Sequence, residues 1–241
     1  MNNAQRVLLT TYLPLTVLIL LSEYRYSQAG IMAWLKITVS ICLALSAISL
    51  RKNYPEQKLM AAAFAFMALG DFFFVIPPLL GDWSRTTIPM GIASFVVAYI
   101  FLILAFRKDA SPGKEELWIA LPIIIVIVCL GVLLFPFVDL RLFIGMVIFA
   151  VLLGYMTLNA VATISRGYYS TESAWLIAMA GILIFASDMR LAYEALYPVG
   201  RGLISLGSNY VRGPFVVGWA LLSLVVAEYR LLKTTRLNWR R

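Results

Sequence analysis

The chain has 241 residues, of which 62% are hydrophobic and only 13% are charged, and its formal net charge is +8. Soluble domains are roughly half apolar and about a quarter charged, so this composition excludes an ordinary soluble domain and predicts a membrane protein with several crossings. The sequence contains no histidine. The commonest catalytic base and metal ligand is therefore missing, which excludes a zinc hydrolase built on histidine ligands.

Eight stretches are apolar enough to cross a bilayer, which takes about 20 helical residues each. No segment remains for a separate soluble domain, so we expect an all-α, polytopic membrane protein in which residues 1–241 form one bundle of eight transmembrane helices. The predicted spans are residues 7–21, 31–50, 59–80, 88–106, 117–137, 141–164, 173–196 and 213–232. The first span has one alternative, a cleaved signal that ends near Ser27.

The loops between the predicted spans indicate which side faces the cytoplasm. Most of the 20 Lys and Arg residues fall in the loops and chain ends that alternate on one side of the bundle. Because cytoplasmic loops carry an excess of Lys and Arg, we expect both the N-terminus and the C-terminus in the cytoplasm. Positive charge in short loops favours attraction to the lipid bilayer and not binding to nucleic acid. Cys42 and Cys129 lie inside spans, so we expect no disulfide.

Two acidic residues interrupt otherwise apolar spans. Asp71 follows Gly70 in the third span, and Asp188 follows Ser187 in the seventh. An unpaired carboxylate in hydrocarbon costs several kcal/mol, so an acid at such a depth is a candidate functional residue. With a helix rise of roughly 1.5 Å per residue, both acids and Lys36 of the second span lie roughly 18–22 Å from the cytoplasmic boundary. We therefore expect three ionisable groups in one polar pocket.

These three groups permit more than one interpretation. A buried Lys–Asp pair can be a purely structural clamp, although one lysine cannot neutralise two carboxylates. Two carboxyl groups with different protonation states can act as general acid and general base in the hydrolysis of an acid-labile ether or acetal-type bond. A proton-coupled transporter or a lipid-binding membrane protein is the alternative, because transporters also use intramembrane acids.

Other residues inside the spans are less specific. Gly70, Gly181 and Ser187 are small residues beside the acids or on the same span, and we expect them to permit close helix contact. Tyr155 and Asn159 are four residues apart in the sixth span, where they either line the cytoplasmic half of the pocket or hydrogen-bond between helices.

The order and spacing of these motifs resemble a known family. Eight spans, Lys36 near the start of the second, Gly70-Asp71 in the third and Ser187-Asp188 in the seventh are similar to the YhhN/lysoplasmalogenase family of integral membrane hydrolases. The resemblance covers nearly the whole chain, from Lys36 to the eighth span. It implies cleavage of the vinyl ether bond of lysoplasmalogen-like lysophospholipids with release of a fatty aldehyde, and it implies Asp71 and Asp188 as the catalytic residues.

The resemblance also bears on the surroundings of the two acids. The expected substrate-binding residues are Lys36, Tyr99, Tyr155, Asn159 and Ser187, and Lys36 either binds the lipid phosphate or holds one aspartate ionised. We expect no cofactor and no metal. The expected location is the cytoplasmic membrane of a bacterium.

The chain departs from the family pattern at three positions. Tyr99 follows Ala98 where the fourth span often carries an Ala-His pair, and Trp219 stands where the eighth span often carries a glutamine. Ile37, in place of a proline, follows Lys36. These departures concern substrate recognition, whereas both acids are present.

Overall fold

The computed structural model describes residues 2–25, 29–79, 87–109, 114–196, 209–228 and 231–232. This part of the chain is α-helical apart from short connections, a 3-10 turn at Phe135–Phe137 and one isolated antiparallel bridge between Tyr169 and Leu232. The helices are α1 (Asn3–Arg25), α2 (Ala29–Ser49), α3 (Pro55–Leu79), α4 (Thr87–Phe106), α5 (Lys114–Leu134), α6 (Leu140–Arg166), α7 (Thr171–Leu196) and α8 (Asn209–Val226).

The prediction of an all-α fold is confirmed, since each predicted span overlaps one helix of the described residues. Five helices in this part of the chain are long and apolar enough to cross a membrane, and α2 and α8 contain the shorter apolar stretches Trp34–Ser49 and Pro214–Val226. A helix satisfies its backbone hydrogen bonds internally, as the interior of a bilayer requires. The protein is therefore a multi-pass membrane protein.

Local capping explains where several helices begin and end. Proline is favoured at the first helical position, and α3 begins at Pro55. The side chain of Gln57 accepts hydrogen bonds from the two backbone N–H groups before that helix at 2.8 and 3.2 Å. Asp139 caps α6, because its carboxylate accepts from two first-turn N–H groups at 3.0 and 3.1 Å. The helix ends at Gly167, whose φ of 63° lies in the left-handed region that favours glycine.

The eighth helix is shorter than the predicted span 213–232, because α8 ends at Val226. Beyond it, the buried residues Leu231 and Leu232 lie against the connection between α6 and α7. The backbone N–H of Ser170 donates to the carbonyl of Leu231 at 2.8 Å. Leu231 and Leu232 are apolar because they are buried in this short extended segment. The sequence pattern alone predicts that they belong to the eighth helix.

Seven of the helices form a ring in which neighbours contact one another, in the order α1, α2, α3, α4, α6, α7 and α8. The fifth helix lies outside this ring, against α6 and α7. The two helices that carry the acids, α3 and α7, are joined through α8, which contacts both. Tyr99 of α4, Phe64 of α3 and Trp219 of α8 are among the largest fully buried side chains, so the core lies between these three helices.

Glycines permit the close contacts around the acid-bearing helices. A Cβ at Gly70 would lie 2.8 Å from Cε2 of Phe95 on α4, and a Cβ at Gly181 would lie 2.6 Å from Cβ of Ala160 on α6. Real Cβ contacts essentially never come this close. The predicted close helix contact at Gly70 and Gly181 is confirmed.

The beginning of α1 and the end of α8 lie at the same end of the bundle. The side-chain amide of Asn2 donates to the carbonyl of Ala227 at 2.6 Å, and that of Gln5 donates to the carbonyl of Leu224 at 3.1 Å. The start of α3 is there too, because Gln57 donates to the carbonyl of Val226 at 3.0 Å. This arrangement is expected when successive helices run in alternating directions.

Candidate active site

Asp71 is held by a hydroxyl group from the neighbouring helix. It lies on α3, and the hydroxyl of Ser40 on α2 donates to its Oδ2 atom. Ser40 is buried, whereas Asp71 is partly accessible. Serine hydroxyls in membrane helices commonly bond either within their own helix or across a helix interface. Here the hydroxyl bonds across the interface, which fixes one of the two carboxyl oxygens.

Asp188 is held in the same way by another helix. It lies on α7, and the phenol hydroxyl of Tyr99 on α4 donates to its Oδ2 atom. Tyr99 is fully buried, with 0% of its surface exposed, whereas Asp188 is partly accessible. Both acids therefore have one oxygen bound by a hydroxyl from a different helix.

The two acids lie near one another. The Asp71 carboxyl is close enough to Asp188 and Tyr99 for its charge to act on both. Lys36 is buried on α2, one helical turn from Ser40 and therefore on the same face of that helix. Two neighbouring carboxyl groups in a bundle interior can divide the roles of proton donor and proton acceptor.

The other predicted site residues lie in different surroundings. Ser187 is buried beside Asp188, with 2% of its surface exposed. Asn159 donates to the backbone carbonyl of Tyr155 at 2.8 Å, and its side-chain oxygen accepts from Arg166 at 3.1 Å. Tyr155 is 40% exposed on α6. The substrate-binding roles of Tyr155 and Asn159 stay predictions.

Arg166 connects Asn159 to the end of the bundle where α4 ends and α5 begins. Its guanidinium forms an ion pair with Glu116 at 2.9 Å and donates to the backbone carbonyl of Phe106 at 3.1 Å. These contacts join α4, α5 and α6. Both of these hydrogen bonds of Asn159 stay within α6, and it is Arg166 that carries the connection to α4 and α5.

Aromatic residues pack around the ring of Tyr99, whose hydroxyl binds Asp188. Phe95 stacks on Tyr99 with ring centroids 6.3 Å apart, and Phe149 of α6 approaches Tyr99 at 5.9 Å. Phe215 of α8 contacts Phe95 at 5.8 Å and Trp219 at 6.1 Å. Within the described residues, the indole N–H of the fully buried Trp219 has no hydrogen-bond partner.

A third carboxyl group, that of Glu56, is buried where α3 begins. Glu56 is fully buried, its Oε1 atom accepts from the hydroxyl of Tyr168 at 2.7 Å, and Lys108 lies 3.8 Å away. The neighbouring Tyr169 hydroxyl donates to the carbonyl of Ala105 at 2.6 Å. Burial and, secondarily, the charge of Glu56 raise the pKa of Tyr169 well above its usual value. These contacts close that end of the bundle.

Sequence reasoning missed Ser40 and Glu56. The available signal for Ser40 was its position four residues after Lys36, which places both on one helix face. Glu56 precedes the apolar run and therefore lies outside the predicted span 59–80. Among the described residues, no group of three or more Cys, Asp or Glu side chains is placed to hold a metal ion.

One comparison with known protein families finds a match. The family model described as "YhhN family" matches residues 31–226. The matched range includes Lys36, Ser40, Asp71, Tyr99 and Asp188. No curated protein and no solved structure matches the chain. Because the family match covers most of its length, the chain belongs to the YhhN family.

Proposed function

We propose that this protein hydrolyses the vinyl ether bond of lysoplasmalogen-like lysophospholipids inside the membrane. Family membership supports the proposal. The observation that carries it is the neighbouring pair of carboxyl groups of Asp71 and Asp188, each with Oδ2 bound by a hydroxyl from another helix. Such a pair supplies both an acid and a base without a metal ion.

The proposed reaction uses one carboxyl group as the acid and the other as the carboxylate. The acid protonates the β-carbon of the vinyl ether, and the C=C electron pair forms the new C–H bond, which leaves an oxocarbenium ion stabilised by the carboxylate. Water adds to the α-carbon and gives its proton to a carboxylate, so a hemiacetal forms. The hemiacetal then loses its hydroxyl proton, the bond to the glycerol oxygen breaks, and that oxygen takes up a proton. The products are a fatty aldehyde and a glycerophospho-alcohol.

Lys36 is the proposed ligand of the lipid phosphate. It lies one helical turn from Ser40, which is about 6 Å along the axis of α2, and Ser40 binds Asp71. That separation is similar to the length of the glycerol unit between the ether oxygen and the phosphate. Lys36→Gln should therefore raise KM more than it lowers kcat, and Lys36→Arg should retain binding. An unchanged KM in Lys36→Gln would refute this role.

The proposed topology has eight membrane crossings with both chain ends in the cytoplasm of a bacterium. It is supported by the hydrogen bonds that join Asn2 and Gln5 to the end of α8, because an even number of crossings returns the chain to its starting side. A green fluorescent protein fused after residue 241 should fluoresce in a bacterial host. Alkaline phosphatase fused at the same place should be inactive, and an active fusion would reverse the assignment.

The direct test gives lysoplasmenylethanolamine to the purified protein and measures fatty aldehyde. We expect release by the wild type and loss in Asp71→Asn and Asp188→Asn. A lysophospholipid with a saturated ether chain is the matched control substrate, because it has no double bond to protonate, and it should remain intact. If the wild type releases no more aldehyde than the two variants, the proposal fails.

Deuterium distinguishes the proposed route from other routes to an aldehyde. In D₂O, protonation of the β-carbon places one deuterium on the carbon next to the aldehyde group, and rapid reduction to the alcohol preserves it for mass spectrometry.

Proton flux in liposomes with an unchanged lipid would instead identify a proton-coupled transporter.

A further inference from the structure

Tyr99 occupies an unusual place in the candidate site. It is fully buried on α4, and its phenol hydroxyl donates to Oδ2 of Asp188 on α7. A phenol has a single proton to donate. Since that proton is committed to Asp188, the hydroxyl of Tyr99 has no proton left to donate to a substrate, and its ring offers no surface to one.

The ring of Tyr99 is fixed from several sides. Phe95, one turn away on α4, stacks on it at 6.3 Å with an interplanar angle of 26°, and Phe149 of α6 packs at 5.9 Å. Phe95 is itself held against Gly70 of α3, because a Cβ at that glycine would lie 2.8 Å from Cε2 of its ring. The position of the hydroxyl is thus determined by α3, α4 and α6 together.

We propose that Tyr99 is a positioning residue for Asp188, whose phenol binds Oδ2 and leaves Oδ1 as the oxygen that exchanges a proton with the substrate or water. This inference rests on the proposed function. It replaces the expectation that Tyr99 binds substrate. Carboxyl groups that transfer protons must be held close to the productive geometry, and displacement by 1 Å can cost about 100-fold in rate.

Tyr99, which stands where the resemblance leads us to expect a histidine, therefore keeps a hydrogen-bond donor at this position. Both imidazole and phenol can donate one hydrogen bond to a carboxyl oxygen. The replacement preserves the donor and changes the ring that carries it. Tyr99 then does for Asp188 what Ser40 does for Asp71, since each hydroxyl binds the Oδ2 atom of its acid.

The first experiment compares Tyr99→Phe with Tyr12→Phe. Tyr12 is a matched control because it is a buried residue whose hydroxyl also bonds across a helix interface, to Ser46 at 2.8 Å, but away from the acids. Tyr99→Phe should lower kcat for aldehyde release by about 100-fold and leave KM unchanged. Tyr12→Phe should change neither. A raised KM with an unchanged kcat would assign Tyr99 to substrate binding and overturn the proposal.

The second experiment does not depend on activity. The infrared absorption of the Asp188 carboxyl is identified by the difference between the wild type and Asp188→Asn. It should change in frequency in Tyr99→Phe and stay the same in Tyr12→Phe. An unchanged absorption in Tyr99→Phe would show that the phenol does not hold Asp188. If the wild type releases no aldehyde, the proposed function fails, whereas this measurement still decides whether Tyr99 holds the acid.

A third variant covers the case in which Tyr99→Phe does not fold. Site-specific incorporation of 3,5-difluorotyrosine at position 99 makes the phenol a stronger donor with little change in shape. Both kcat and the Asp188 infrared absorption should change in this variant. If both stay at the wild-type values, Tyr99 does not position Asp188.

Discussion

The hydroxyl of Ser40 donates a hydrogen bond to Oδ2 of Asp71, and this bond joins α2 to α3 next to Lys36. A hydrogen bond contributes about 0.5–1.5 kcal/mol between neutral groups and about 1.5–3 kcal/mol when one group is charged. Ser40→Ala should therefore lower kcat for aldehyde release by about 3- to 100-fold. The control is Ser46→Ala on the same helix, which removes the hydrogen bond between Ser46 and Tyr12 and leaves the acids untouched. Equal activity in both serine variants would show that the bond to Asp71 has no part in the reaction.

The Gly70 position should not accept alanine. The added Cβ would lie 2.8 and 2.9 Å from two carbons of the Phe95 ring, so the ring has to move. Overpacking of this kind costs about 1–3 kcal/mol. We expect Gly70→Ala to lower the thermal unfolding temperature in detergent and to reduce activity, since Phe95 stacks on Tyr99. Phe95→Leu combined with Gly70→Ala should regain stability, and a double variant less stable than Gly70→Ala alone would contradict this explanation.

Alanine variants at two glycines distinguish the effect of helix packing on stability from the effect of helix propensity. A Cβ at Gly181 would lie 2.6 Å from Cβ of Ala160, and neither carbon can rotate away because both are attached to the backbone. Gly181→Ala should therefore destabilise the contact between α6 and α7 by about 1–3 kcal/mol. Gly145 on α6 has nothing within 4 Å of the same position. Gly145→Ala should be neutral or stabilising by about 0.5–1 kcal/mol, as thermal unfolding of the two variants will measure.

Tyr169 should make the protein less stable as the pH rises into the alkaline range. Its folded-state pKa lies above its unfolded value because the phenol is buried beside Glu56. The stability that it contributes is thus complete below the unfolded value, about pH 10, and is lost as the pH rises through the folded pKa. Tyr169→Phe removes the hydrogen bond to Ala105 and should lower stability at neutral pH by about 1 kcal/mol.

The same variant should show a shallower loss of stability above about pH 10. Unfolding temperatures measured across alkaline pH will test the slope. Tyr155→Phe is the control, since Tyr155 is exposed on α6 and should behave as the wild type. If the unfolding temperature falls equally steeply with rising pH in Tyr169→Phe and in the wild type, Tyr169 is not the cause of the alkaline loss of stability.

The sequence predicts the helices and the acids well because both signals are local. An apolar run of sufficient length defines each helix, and a carboxylate within such a run is conspicuous at Asp71 and Asp188. The apolar pattern does not locate the end of α8, because Leu231 and Leu232 extend it although they are buried outside the helix. A buried extended segment and a buried helical turn have the same composition.

The partners of the acids were not predictable for a different reason. Ser40 is one of several hydroxyl residues on α2, and only the contact between α2 and α3 shows that it reaches Asp71. The resemblance draws attention to Tyr99, but its hydrogen bond to Asp188 depends on the relative placement of α4 and α7. Contacts between helices distant in sequence leave no pattern within either helix.

The hydrogen bond from Asn2 to Ala227 has a consequence for protein engineering. Because the start of α1 adjoins the end of α8, a short linker from the segment after Leu232 to Asn2 would close the chain into a circle. New ends could then be opened in the link between α5 and α6, near Val138. A circularly permuted protein of this kind would show whether the bundle assembles independently of the order in which its helices are synthesised.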